Sequence, residues 1–165
     1  MSKTFTIEHE IAADEDTFWK VFFDADYMVA LYAKALAFPK YELLKFEETD
    51  ATIVRSIRVT PKLDLPGPIA KLLGPGFAYN EEGTFDRKKK VWTWRTTPSD
   101  KMRSEGTLHT EPLGAGRVRR VGKFDIEGKM FGIGGLLEST LEKNLRSGWD
   151  KSAAFMNRWV AGARE

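Results

Sequence analysis

The sequence predicts an α+β fold: a seven-stranded curved antiparallel sheet wrapped around one long C-terminal helix, with two short helices after the first strand. Three observations carry this expectation. The chain opens on an alternating polar/apolar stretch. Six further strand-like segments follow, most of them joined by short polar connections. From Gly135 to about Ala163 a single helical periodicity then runs with no break except Gly148.

Each element has its own warrant. Phe5, Ile7, His9 and Ile11 alternate with Thr4, Thr6, Glu8 and Glu10, which is the period of a half-buried strand. Asp14 is a suitable N-cap, and Glu15 and Asp16 follow where the helix dipole favours anions. Phe18, Trp19, Phe22 and Phe23 then fall on helical spacing. Asp24 to Asp26 interrupt, and a second short helix through Tyr27, Leu31 and Ala35 ends at Pro39. Strands are expected near 41–48, 51–60, 77–87, 90–97, 103–111 and 117–127, joined by hairpin turns such as Thr49-Asp50 and the run 112–116. Leu137, Leu141, Leu145, Trp149, Ser152, Met156 and Trp159 recur every three or four residues, while Lys143, Arg146, Lys151 and Arg158 take the other face. That helix would be roughly 40 Å long at 1.5 Å per residue.

One connection is long. The stretch LDLPGPIAKLLGPGFAY, 63–79, holds three prolines and three glycines, yet Ile69, Leu72 and Leu73 sit in it on a half-helical spacing. Apolar residues in a loop need something to cover. A curved sheet with one apolar face is too wide for a single helix to fill, so a cavity is expected between them.

Composition bounds the function. The chain has 165 residues, 42% hydrophobic and 30% charged, as expected of one globular domain spanning 1–165. Its net charge of +2, from 26 basic and 24 acidic residues, implies no general attraction to nucleic acid. The basic run Arg87 to Lys90 reads as a solvated hairpin tip, and Arg117, Arg119 and Arg120 form a second basic cluster. There is no cysteine, which excludes thiol nucleophiles and cysteine-bound zinc and suits a cytoplasmic setting. The N-terminus lacks the apolar run of a signal peptide, and no window is apolar enough for a membrane span. Stable membrane insertion is not expected; a transient touch at a membrane surface is compatible with the apolar residues of the long connection.

Catalytic motifs are absent. There is no G-x-S-x-G elbow and no P-loop, and Gly132-Ile133-Gly134-Gly135 lacks the spacing and the βαβ setting of a nucleotide fingerprint. A metal site would need His9 and His109 together with a carboxylate such as Glu81; His109 is expected to face outward, so no metal and no cofactor is expected. Arg55 is more informative. It lies between Ile53 and Ile57 on one strand face, and a buried arginine needs a partner. Glu81, in phase with Tyr79 and Phe85, is a candidate counter-ion, and Arg95 is a second candidate cation.

The order of elements resembles the START-like or SRPBCC superfamily with its helix-grip fold. The likeness is carried by IAADEDTFWKVFFD at the first helix, LPGPIAKLLG in the long connection, and the final hairpin, glycine turn and helix start, GTLHTEPLGAGRVRRVGKFDIEGKMFGIGGLLESTLEKNL. The resemblance is to bacterial members of unknown function, and the superfamily has no universal catalytic signature. It implies a pocket for a hydrophobic small molecule or lipid, with the protein acting as a carrier or sensor. The candidate pocket residues are His9, Arg55, Tyr79, Glu81 and Arg95; in this fold the long connection lies beside the mouth of the cavity, so Ile69, Leu72 and Leu73 are candidate lid residues, the alternative being that they plug the open end of the sheet. An alternative is a polyketide cyclase/aromatase-like enzyme in which Tyr79, Arg55, His9 and Glu81 move protons in the same pocket. A third reading is a protein–protein module that docks a partner on the basic helix face or the lid.

Overall fold

The computed structural model describes residues 2–97 and 99–163. Its elements are β1 (Ser2–Ile11), α1 (Glu15–Phe22), α2 (Ala25–Ala30), β2 (Lys40–Glu48), β3 (Thr52–Thr60), α3 (Gly67–Leu73), β4 (Tyr79–Asp86), β5 (Val91–Thr96), β6 (Met102–Gly114), β7 (Arg117–Gly128) and α4 (Gly134–Val160). The strands form one curved sheet in the order β1-β7-β6-β5-β4-β3-β2, and every neighbouring pair is antiparallel. With α4 held against it, this is the helix-grip architecture.

Local chemistry explains the short helices. The Asp14 carboxylate accepts from Thr17 N at 2.8 Å, and Asp24 repeats the device on Tyr27 N at 2.8 Å. Asp24 is thus the start of α2 as well as the break after α1. Beyond α2 the chain continues as one π turn, Leu31–Ala35, and leaves helical geometry at Ala37, whose φ is +52°.

The sheet's inner face follows the alternation closely. Ile53, Arg55, Ile57 and Val59 are buried along β3, as are Val118, Arg120, Phe124 and Ile126 along β7. Flat indoles lie on the strands where side chains are missing. A Cβ at Gly83 would sit 2.0 Å from the Trp92 ring, and one at Gly122 would sit 2.5 Å from Trp149. These glycines are therefore landing places for tryptophan, not points of flexibility.

Two apolar clusters result. The larger lies under α1, α2 and the C-terminal half of α4, around Phe18, Trp92, Phe155 and Met156. The smaller joins Ile69, Leu73 and Leu137, with Leu63, Leu65, Leu72, Phe77 and Leu141 packed around them. Here the structure redraws the sequence reading: the long connection is not merely loop. Its half-helical spacing is a real seven-residue helix, α3, opened by Pro66 and Pro68 and closed by Gly74 at φ +79°.

The glycine turn before α4 also has a plain packing reason. A Cβ at Gly128 would meet the Gly134 carbonyl oxygen at 2.5 Å, so the two backbones need bare glycine to touch. Buried Glu138 ties the turn down by accepting from Gly128 N at 2.9 Å.

Candidate functional site: a cavity between sheet and helix

Between the inner face of the sheet and α4 lies a cavity of about 730 Å³. Its walls are mainly apolar and aromatic, with Trp92, Trp94 and Phe124 from the sheet, Leu145, Trp149 and Met156 from α4, and Leu31 and Leu36 from the π turn and the residue after it. Leu63, Phe77 and Ala78, flanking α3, complete one end. A few polar groups break this surface, and they are unequally satisfied.

Arg55 projects from β3 and is 4% exposed. Its Nη1 donates to Phe22 O at 2.7 Å, and its guanidinium lies 4.6 Å from the Phe22 ring centre and 5.1 Å from that of Trp92. No other acceptor among the described residues reaches it. Burial pulls its pKa below the ordinary arginine value, opposed by the phenol of Tyr32 and the carboxyl of Glu81. Glu81 faces the same space from β4, and no donor among the described residues bonds its carboxylate. Burial raises its pKa, and Arg55 pulls it back only in part. Tyr79 and Tyr32 stand beside them; burial pushes both phenols well above the ordinary value. Tyr32 is held flat against Tyr41, ring centres 4.7 Å apart.

Arg120 on β7 is a second buried cation, but both of its terminal nitrogens are bonded. Nη1 donates to Ser152 Oγ at 2.8 Å, and Nη2 to Trp149 O at 2.8 Å and to His9 Nδ1 at 3.0 Å. The guanidinium also lies 4.4 Å from the Trp149 ring centre. A guanidinium can only donate, so His9 Nδ1 accepts, and Nε2 carries the proton that reaches Asp150 Oδ1 at 2.7 Å. Burial lowers the Arg120 pKa to about 10, still well above neutral. Arg120 pins α4 to β1 and β7, leaving Nε as its one buried nitrogen without a partner among the described residues.

The sequence-predicted residues thus divide. Arg55, Tyr79 and Glu81 come together on the cavity wall. His9 lies behind Arg120 and does not line the cavity. Arg95 points the other way: its side chain is 69% exposed and sits 4.0 Å from Glu82. The reason is that Trp92 and Trp94 take the inner phase of β5, which leaves Arg95 outside. Ile69, Leu72 and Leu73 belong to the smaller cluster and do not border the cavity. Two residues escaped the sequence reading. Arg120 reads in the sequence as one of the basic cluster Arg117, Arg119 and Arg120, although Val118, Gly122 and Phe124 share its phase on the buried face of β7. Tyr32 enters the cavity through the π turn, which no 3.6-residue periodicity predicts.

Among the described residues no three His, Asp or Glu side chains gather as metal ligands, and no helix is long and apolar enough to cross a membrane.

Sheet, long helix and cavity define a START-like, helix-grip fold. The chain belongs to the DUF2505 family, proteins of unknown function, whose model matches residues 6–160. Among solved structures it is similar to the Zhui aromatase/cyclase from Streptomyces sp. R1128, at 18% identity and a TM-score of 0.72 over 99% of this chain and 98% of that one. Norcoclaurine synthase from Thalictrum flavum superposes with a TM-score of 0.64 at 16% identity over 98% of this chain and 88% of the other. A START superfamily protein from Mycobacterium smegmatis gives 0.64 at 12% identity over 94% and 98%. At these identities the likeness is one of fold. A sequence search of curated proteins finds no match.

Proposed function

We propose that this protein binds a hydrophobic small molecule or lipid in the cavity between sheet and α4, as a cytoplasmic carrier or sensor. The observation that carries the reading is the cavity itself: about 730 Å³, walled mainly by apolar and aromatic side chains, with a few convergent polar groups. Apolar burial at about 25 cal/mol per Å² supplies the driving force, and Arg55, Tyr79 and Glu81 set orientation. A naphthalene dye that fluoresces in apolar surroundings should bind saturably at micromolar concentration and be displaced by longer-chain lipids. Linear, non-displaceable uptake would refute the reading. Native mass spectrometry of freshly purified protein would identify any ligand carried through purification.

A second reading is supported by one specific observation. Glu81, Tyr79 and Arg55 share a wall, and the carboxyl has a raised pKa, which suits a general acid or base. On this reading the pocket performs chemistry of the cyclase/aromatase type on a poly-β-ketone. Release of a chemically altered product from such a substrate, lost in Glu81→Gln, would distinguish it from a carrier.

A further inference from the structure

We infer that the natural ligand is a monocarboxylic acid with an apolar body, seated with its carboxylate on Arg55. This rests on the small-molecule reading above and names the chemistry of the molecule bound.

The two buried arginines of the cavity are not equivalent. Arg120 is consumed by Ser152, Trp149 and His9. Arg55 spends one N–H on the Phe22 carbonyl and offers the rest of its fork to no acceptor among the described residues. A guanidinium carries five N–H donors in a planar fork that matches a carboxylate. A buried cation left this open is costly to the fold unless an acceptor arrives.

The surroundings select the acceptor. Among the described residues five cationic side chains line the cavity and its rim against two carboxylates, Asp64 and Glu81. Asp64 is already engaged by Lys143 at 2.9 Å. Arg58, Lys62 and Lys151 are exposed members of the lining, so a negative ligand is favoured on its way in. Inside, one open guanidinium suits one negative charge; a phosphate dianion would bring a second against Glu81. Glu81 fits a carboxylate ligand when it is itself neutral, as its raised pKa favours, because its O–H can then donate to the bound oxygen. The hydroxyls of Tyr79 and Tyr32 supply further donors on the same wall.

The test compares matched heads on one body. Dodecanoic acid, 1-dodecanol and dodecylamine are titrated calorimetrically into wild type, Arg55→Met and Glu81→Gln, and the acid–alcohol comparison is repeated with 2-naphthoic acid and 2-naphthol. The body that binds tells whether the ligand is chain-like or ring-like. In wild type the acid should bind about tenfold or more tighter than the alcohol, as a charged buried hydrogen bond implies. Arg55→Met should abolish that preference while leaving alcohol binding within about threefold. Glu81→Gln, which leaves Arg55 in place and removes the carboxyl that competes with the ligand for it, should keep or widen the preference for acid over alcohol whatever it does to overall affinity; this keeps the inference open to refutation should Arg55→Met misfold. It is overturned if the alcohol matches the acid, if the amine binds tightest, if the preference survives in Arg55→Met, or if Glu81→Gln loses the preference for the acid over the alcohol. Failure of every compound to bind would instead bring down the small-molecule reading and this inference with it.

Discussion

Arg55 and Arg120 face the same cavity from two strands, and the difference between them lies entirely in what each touches. Arg120 replaces its lost water with three protein acceptors and a tryptophan face. Arg55 has one carbonyl and a set of rings. Glu81 is the residue whose charge state registers this imbalance. Burial raises its folded-state pKa above the ordinary 4.5, so the folded protein holds that proton more tightly than the unfolded chain does. The sign follows from proton linkage: below the unfolded value both states are protonated and burial of the carboxyl costs little. As pH rises through the window between the unfolded and folded values, the unfolded state ionises first and stability falls. Glu81→Gln removes that dependence. Urea melts should therefore find the variant more stable than wild type at pH 7, with the gap closing as pH falls toward 4.5. A gap that widens on acidification would mean that Glu81 is held ionised by Arg55 in the folded state.

At the scale of elements, what the sequence made legible and what it hid have separate physical causes. Apart from β2, which is exposed except at Tyr41, the strands and α4 are readable because one face is buried against a single layer, so periods of 2 and 3.6 appear undisturbed in Phe5 to Ile11 and in Leu137 to Trp159. Arg55, Tyr79 and Glu81 all line the cavity for the same reason: strand phase fixes which wall a side chain faces. Arg95 was misplaced because Trp92 and Trp94, not Val91 and Thr93, hold the inner phase, and apolarity alone does not tell which of two alternating sets wins. The π turn that delivers Tyr32 shifts the helical register by a residue, and pattern matching has no template for that shift. α3 was half-seen, because prolines and glycines mark its ends as strongly as they mark a loop. Its role follows from its packing. Ile69 is 0% and Leu73 6% exposed, both against Leu137 of α4. This packing favours the reading of α3 as a plug that closes one end of the sheet over that of a loose gate. Leu73→Ala should then lower unfolding free energy by about 2–5 kcal/mol, measured by chemical denaturation, with dye on- and off-rates nearly unchanged. Altered exchange rates at undiminished stability would restore the gate.

The whole molecule sets a sheet wider than its helix, and the cavity is the part of the inner face that α1, α2, α3 and α4 do not reach. In a protein selected only for stability, that space would be filled, because packing against apolar walls gains contact energy at every atom. Ser104 is informative here. It is buried on the inner face of β6, opposite Ile126, borders the cavity, and its hydroxyl has no hydrogen bond to any described residue. A large apolar residue would fit that strand position by propensity and face. Ser104→Phe projects a ring into the space without removing any hydrogen bond of the side chain. If the cavity is the ligand site, dye and dodecanoate affinity should fall about tenfold or more while the melting temperature stays level or rises, since the ring fills void without displacing a wall. Stability and binding would then move in opposite directions. Unchanged binding in a folded Ser104→Phe protein would place the ligand elsewhere. A variant that loses both stability and binding would mean that the walls are already close-packed around position 104, with the functional space nearer Arg55 and Glu81.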